Sequence, residues 1–341
     1  MIWSKKRHAP PRSLHIETNK VCNSRCRTCK IWTQQETAET MISTPRRIEI
    51  IEEFASLNPQ GNVAICGGEI LLQPQRLFDL SRRCNELDLQ SQIATNGSLI
   101  DDAMAERLIL EGPSQIALSL NSATAAVHDE TRGRNGSFDE VVRAVKHLQR
   151  ARSTHGRPTR IHIHTIISKR NYRELEALHQ FALTELGVDR ISMGFLQPTF
   201  GLEVSKADRY FAENVVEDDQ ALTDSLMRCD ERFGLGLNPD WIEQAQMYHR
   251  SIRESGQAAQ GWAVRRATEE HICETYQRNL TVDPQGVARL CFSSIFRGRK
   301  LRRRGDLTKF WNGADDIRRK MKRCHAHCGV VDICSRVRQF S

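Results

Sequence analysis

No run in this chain of 341 residues approaches the roughly 20 uninterrupted apolar residues that a membrane-spanning helix requires. The basic start, Met1 to His8, is followed by no apolar segment, so a secretory signal is missing as well. Neither an internal repeat nor a low-complexity tract is evident. Together these absences exclude a membrane span and predict a cytoplasmic chain: one large domain, or a core with a small appendage. A mean hydropathy of −0.52 and 27% charged residues are ordinary for a globular protein.

Acidic residues fall short of basic ones, 42 against 50, which leaves a net charge of +8. The excess is concentrated near the C-terminus, in Arg297 to Arg304 and Arg318 to Arg323. A solvated, charged face flanking a helix accounts for such runs, and so does an anionic ligand or nucleic acid. The charge alone does not decide the function.

The 11 cysteines carry more information. A reducing compartment would not keep disulfides in a chain of this size, so clustered cysteines point to metal ligands or reactive thiols. Three lie near the start (Cys22, Cys26, Cys29), five near the end (Cys273, Cys291, Cys324, Cys328, Cys334), and Cys66, Cys84 and Cys229 are scattered. The scattered three read as buried small hydrophobes.

Between residues 13 and 199, short β-type runs alternate with amphipathic helical stretches. The runs start at Ser13, Asn62, Gln90, Gln115, Arg160 and Arg190. Six such alternations predict parallel strands joined by right-handed crossovers: an α/β fold, a partly or fully closed (βα)6 barrel, with reactive groups at the C-terminal strand ends. A 1–12 arm precedes it, and a polar, helical connecting region is expected over 200–270. Residues 271–341 then form a small metal-stapled module in which Asn279 to Leu290 is a β-hairpin with Asp283-Pro-Gln-Gly286 as its turn.

Cys22, Cys26 and Cys29 follow the first strand, at the mouth of the predicted barrel. Thiolates so closely spaced on one loop can share a metal centre. Structural zinc ordinarily takes four protein ligands, and a fourth is missing locally. Three cysteines on a four-iron cluster would leave one iron open to another ligand. Residue types alone leave both readings open.

The C-x3-C-x2-C triplet, in the form Cys22-Asn…Cys29-Lys-Ile-Trp32, resembles the signature of the radical S-adenosylmethionine (SAM) superfamily. Further stations match in order: Gly67-Gly68-Glu69 after the second strand, Thr95-Asn96-Gly97 after the third, Ser119 with Asn121 after the fourth, and His128-Asp129…Arg132-Gly133 beyond. The resemblance implies a SAM-binding 4Fe–4S cluster on the three cysteines, with Thr28 among them counted as cofactor-binding. It implies that the Gly-Gly-Glu backbone meets the methionine amino group, and that Ser119 and Arg132 hold the methionine carboxylate or ribose. Asn171 would lie near the ribose and Met193 near the adenine. Each also has a plainer reading: a turn for the glycines, a surface charge for Arg132, core packing for Met193, and a surface position at a helix start for His128.

The five C-terminal cysteines, the hairpin phrase and Gly305-Asp306-Leu307…Trp311-Asn312 resemble the twitch or SPASM-type extension of that superfamily. Five cysteines suffice for one auxiliary 4Fe–4S cluster with one thiol left over, which fits the shorter twitch form. Cys273 and Cys291 are the firmest ligands, joined by two of Cys324, Cys328 and Cys334. A structural zinc site assisted by His325 or His327 is the rival.

By the same resemblance, an external one-electron donor of flavodoxin or ferredoxin type reduces the first cluster. SAM then splits to methionine and a 5′-deoxyadenosyl radical, which takes a hydrogen atom from substrate. Net oxidation of a small natural product of the aminocyclitol type is the expected outcome, or epimerisation with Cys66 or Cys229 as hydrogen donor. The runner-up is a maturase acting on a ribosomal peptide; only about twelve residues precede the first strand, so no leader-binding domain is expected in cis. The reading from another class is a non-catalytic iron–sulfur or zinc protein binding nucleic acid. Neither membrane nor nucleic acid is expected as a partner.

Overall fold

The computed structural model describes residues 8–34, 40–197, 209–254, 274–292 and 296–323. Six strands, β1 (Ser13–Glu17), β2 (Asn62–Cys66), β3 (Gln90–Thr95), β4 (Gln115–Ser119), β5 (Arg160–Ile167) and β6 (Arg190–Phe195), pair in parallel with their chain neighbours. Helices cross over between them: α1 (Thr44–Leu57), α2 (Pro74–Glu86), α3 (Asp102–Glu111), α4 (Ala125–Arg132), α5 (Ser137–His155) and α6 (Leu175–Gln180). Their starts are written locally. Ser43 accepts from the Arg46 N–H ahead of Pro45, Asp101 accepts from the Met104 N–H, and Pro74 opens α2.

α7 (Arg209–Asn214), α8 (Asp219–Phe233) and α9 (Pro239–Glu254) supply the helical stretch after β6. They are joined to the sheet where Phe195 stacks on Trp241 and Tyr248, at 5.3 and 5.4 Å. After α10 (Thr275–Arg278), the hairpin of β7 (Asn279–Val282) and β8 (Val287–Arg289) forms around the foreseen turn. The Gly286 N–H donates to the Asp283 carbonyl at 2.8 Å, with Gly286 at φ 80°. β9 (Arg299–Lys300), α11 (Asp306–Gly313) and α12 (Asp315–Met321) complete the described chain.

The hairpin does not stand apart. β7 runs parallel to β1, with Ser13 beside Asn279, giving one sheet in the order β6-β5-β4-β3-β2-β1-β7-β8-β9. Among the described strands β6 and β9 remain as edges, so the barrel is partial. Fully buried Arg47 of α1 strengthens the joint, donating to the carbonyls of Ile42, Thr18 and Pro284 and so tying the end of β1 to the hairpin turn.

Strand alternation gives the sheet two unlike faces. Leu14, Ile16, Val63, Ile65, Ile116, Leu118, Ile161, Ile163 and Met193 are fully buried in the helix-packed core. The opposite face carries small or polar side chains: His15, Glu17, Ala64, Cys66, Ala117, Ser119, His162, His164 and Ser192. Such a face is suited to lining a chamber.

Burial pushes His15, His162 and His164 down to about 4, and His128 and His249 to about 3. The unfolded chain therefore binds protons below about pH 6.5 that the folded chain refuses until near 4, and stability must fall with acid. Urea melts are expected to show at least about 3 kcal/mol lost between pH 7 and pH 5. A flat profile over that window would contradict these burials. Among the described residues no helix is long and apolar enough to cross a membrane.

Candidate active site

The loop after β1 is held to the end of β2 by a continued backbone ladder. Thr18 N–H donates to Cys66 at 2.7 Å, Gly68 N–H to Asn19 at 3.0 Å, and Glu69 N–H to Val21 at 2.8 Å. A Cβ on Gly68 would lie 2.2 Å from the Val21 carbonyl oxygen, and one on Gly67 2.9 Å from that of Asn19. Any other residue would push the cysteine loop away, so these glycines are required by protein packing before any ligand is considered.

Glu69 is almost fully buried, and its carboxylate is committed. It accepts from Thr95 Oγ1 at 2.7 Å and from the N–H groups of Asn96 and Leu71 at 2.9 and 3.0 Å. Burial raises its pKa, while these donors and Arg132 oppose the rise. Asn96 in turn donates to Asn23 Oδ1 at 2.8 Å and Ser24 Oγ at 3.1 Å, gripping the chain between the first two cysteines. The turn after β2 and the loop after β3 thus clamp the cysteine loop from below.

Cys26 is buried, and Cys22 and Cys29 are half-buried, as is Thr28 between them. Cys22 Sγ accepts from the Ser24 N–H at 3.4 Å and Cys29 Sγ from the Ile31 N–H at 3.5 Å. Burial raises the pKa of Cys22 and pushes that of Cys29 up to about 11. Neighbouring thiols add to the rise, and Ser24, Ile31 and Arg132 pull against it. Metal loading here must release protons. Among the described residues no three His, Cys, Asp or Glu are grouped to hold a single metal ion. A cubane, in which each thiolate takes a different iron, fits this donor set better than one zinc.

α4 delivers the cation. Its C-cap Gly133, at φ 62°, packs so tightly that a Cβ would meet the Arg25 carbonyl oxygen at 2.4 Å, and Arg27 N–H donates to Thr131 at 3.2 Å. Arg132 is thereby fixed within electrostatic reach of Cys22, Cys29 and Glu69, and it makes no ion pair among the described residues. An uncommitted guanidinium within electrostatic reach of two of the three loop thiols suits an anionic ligand group.

Other sequence-derived candidates carry structural roles of their own. Asn121 donates to Thr131 Oγ1 at 2.9 Å and accepts from the Ile166 N–H at 3.1 Å. Asn171 spends its amide on the carbonyls of Asn121 and Ile166, at 2.7 and 2.9 Å, and on the Ser168 N–H. Both clasp the loops after β4 and β5 to each other. Met193 shares the helix-packed face with Ile191 and Phe195, so its side chain points away from the chamber. His128 is not at the surface: fully buried, its Nδ1 accepts from the Asn121 N–H at 3.1 Å. Ser119 lies on the chamber face, level with His164.

His164 was not singled out from sequence. Its Nδ1 pairs with Ser192 Oγ at 2.9 Å, and its ring packs against Gly194, where a Cβ would lie a tight 3.3 Å from Nε2. The alternation Ile161-His-Ile-His164 was the available signal: two histidines on one strand face. Of the scattered thiols, Cys84 and Cys229 are buried in α2 and α8, and burial pushes both to about 12. Cys66 lies on the chamber face, its pKa also raised by burial. Cys291 is half-buried at the end of the hairpin, where the next residue, Phe292, packs edge-on against His15 at 4.6 Å. Cys273, Cys324, Cys328 and Cys334, with His325 and His327, lie outside the described residues.

A family model described as the radical SAM superfamily matches residues 16–182. The chain is 29% identical over 189 residues to an AdoMet-dependent heme synthase of Methanosarcina barkeri, covering 55% of this chain and 52% of that protein. It is 26% identical over 188 residues to a PqqA peptide cyclase of Granulibacter bethesdensis, covering 55% and 48%. The chain thus spans about half the length of these curated relatives. Among solved structures, Streptococcus suis SuiB bound to precursor peptide SuiA superposes with a TM-score of 0.64 at 17% identity, over 98% of this chain and 76% of that one. At such identity the likeness speaks for the fold alone.

Proposed function

The chain belongs to the radical SAM superfamily, whose members use a 4Fe–4S cluster and SAM, and we propose that it is an enzyme that abstracts a hydrogen atom from a peptide substrate. The observation that carries the chemistry is the meeting of Cys22, Cys26 and Cys29 with the uncommitted Arg132 at the C-terminal ends of the strands. When bound, the reduced cluster supplies one electron that splits SAM into methionine and a 5′-deoxyadenosyl radical. The chain's own part is to hold, orient and shield. The three thiolates hold the cluster, Arg132 receives the methionine carboxylate, and the backbone at Gly67-Gly68 presents polar groups to the methionine amino end. Ser119 and neutral His164 offer hydrogen-bonding groups from the chamber face. The electron is supplied by a flavodoxin- or ferredoxin-type donor.

A peptide is favoured over a small molecule by two likenesses, to a PqqA peptide cyclase and to the fold of SuiB, which is solved with a precursor peptide. Oxidation or epimerisation of a small substrate, the aminocyclitol type included, is the second reading. The heme synthase relative keeps it in view, and Cys66 rather than core-buried Cys229 is then the thiol on the right face. Anaerobic reduction with SAM must give 5′-deoxyadenosine. Deuterium from a labelled peptide or a labelled small molecule appearing in that product identifies the class, and no 5′-deoxyadenosine at all would overturn both readings.

An auxiliary 4Fe–4S cluster on Cys273, Cys291 and two of the last three cysteines completes the proposal. Iron analysis of anaerobically reconstituted protein is expected to give about eight irons per chain, falling to about four in Cys291→Ala. A parent value of about four would remove the second cluster.

A further inference from the structure

In the second basic stretch of the sequence Arg319, Lys320, Lys322 and Arg323 are exposed while Arg318 is buried over Trp311, but the first stretch lines a groove. Between the edge strand β9 and helices α11 and α12 lies a cavity of about 760 Å³. Arg297, Arg299, Lys300, Arg302, Arg303 and Lys309 surround it. Two carboxylates, of Asp306 and Asp316, are present in the lining. Asp306 is already engaged, its Oδ2 accepting from the N–H groups of Arg302 and Arg303 at 2.9 and 3.1 Å. Arg297, Arg299, Arg302, Arg303 and Lys309 make no side-chain ion pair among the described residues. Six cations against two carboxylates around one concave surface raise its potential and attract an anionic partner.

Two features define the partner's shape. Among the described strands β9 ends the sheet, and its outer backbone edge meets no other described strand, as an added strand would require. Phe310, Ala314 and Ile317, each at most 8% exposed, give the groove an apolar floor. Among the described residues lining the groove no aromatic ring stands exposed to stack a base, as a single-stranded nucleic acid would require. We propose that this groove docks an acidic, extended peptide segment, which adds to β9 as a strand and sets its carboxylates against Arg299, Arg302 and Lys309. The proposal deepens the peptide reading above and rests on it: the groove would hold a part of the substrate distant from the reacting carbon.

The test uses the full chain and two readouts, binding and SAM cleavage. A fluorescein-labelled peptide alternating Glu and Val should bind, and binding should weaken as salt is raised. The double variant Arg299→Glu/Lys309→Glu should lose at least about tenfold in affinity while forming 5′-deoxyadenosine from SAM at the parental rate. Arg143→Glu/Lys146→Glu on exposed positions of α5 makes the same change in net charge and should stay within about twofold of the parent. The alanine pair Arg299→Ala/Lys309→Ala, with parental melting, guards against misfolding as the cause. Parental binding by the groove variants would overturn the proposal, as would equal loss in the α5 variant. Tighter binding of a single-stranded RNA of equal charge, lost in the groove variants, would overturn it in favour of nucleic acid. Absence of 5′-deoxyadenosine with peptide binding intact would instead count against the radical reading.

Discussion

Cys26→Ala is expected to abolish 5′-deoxyadenosine formation, a fall of more than about 100-fold. Of the three loop thiols, Cys26 is the buried one, at 7% exposure, and its carbonyl also accepts from the Cys29 N–H at 3.2 Å. Alanine keeps that backbone bond and the clamp from Asn96, so the loop should hold its shape while one metal ligand disappears. The measurement is paired: product formation under strong reduction, and iron content of the same sample. Loss of product with loss of iron, at parental melting temperature, is the expected combination. Parental cleavage by Cys26→Ala would remove this loop from the chemistry altogether.

The largest stability effect is expected at Glu69. Removing its carboxylate leaves the Asn96 and Leu71 N–H groups and the Thr95 hydroxyl without their buried acceptor, and each orphaned donor costs about 1–3 kcal/mol. Glu69→Ala should therefore lose about 3–5 kcal/mol in a denaturant melt, cavity included. Glu69→Gln keeps one acceptor oxygen but turns an NH2 toward the Asn96 N–H or its neighbours, and about half that loss is expected. The raised pKa gives an independent check. The folded chain holds a proton on Glu69 to higher pH than the unfolded chain does, so this group favours the folded state less as pH rises through its native pKa. In Glu69→Gln that dependence should vanish. Equal stability of parent and both variants would show that the carboxylate is not the keystone of the clamp.

Much of the fold was legible locally. β5 and β6 lie over the foreseen segments, and the hairpin turns at the foreseen Asp283-Pro-Gln-Gly286, because alternating β-branched residues and turn-forming residues act over a few positions. The extent of α4 and the burial of His128 were not foreseen: eight residues of mixed polarity carry little periodicity, and His128 gains its meaning only from the Asn121 N–H it receives. The partners of Asn121 and Asn171 are largely backbone groups brought together from distant loops, so their use as clasps could not be read from a motif. The cysteine triplet and the Gly-Gly-Glu turn were legible as motifs, but not the reason for the glycines, which is the Val21 and Asn19 carbonyls pressing against them.

The pairing of β1 with β7 also bears on how the protein is made. Its partners stand roughly 260 residues apart in the chain, so β1 leaves the ribosome long before the strand that covers its outer side. At about 5–20 residues per second, that wait lasts on the order of ten to fifty seconds. Throughout it the nascent sheet carries an open parallel edge beside the cysteine loop, a surface prone to self-association. Cluster insertion during synthesis would therefore meet a half-covered sheet, and a ribosome stalled before Asn279 would release a product that aggregates rather than one that merely lacks its tail.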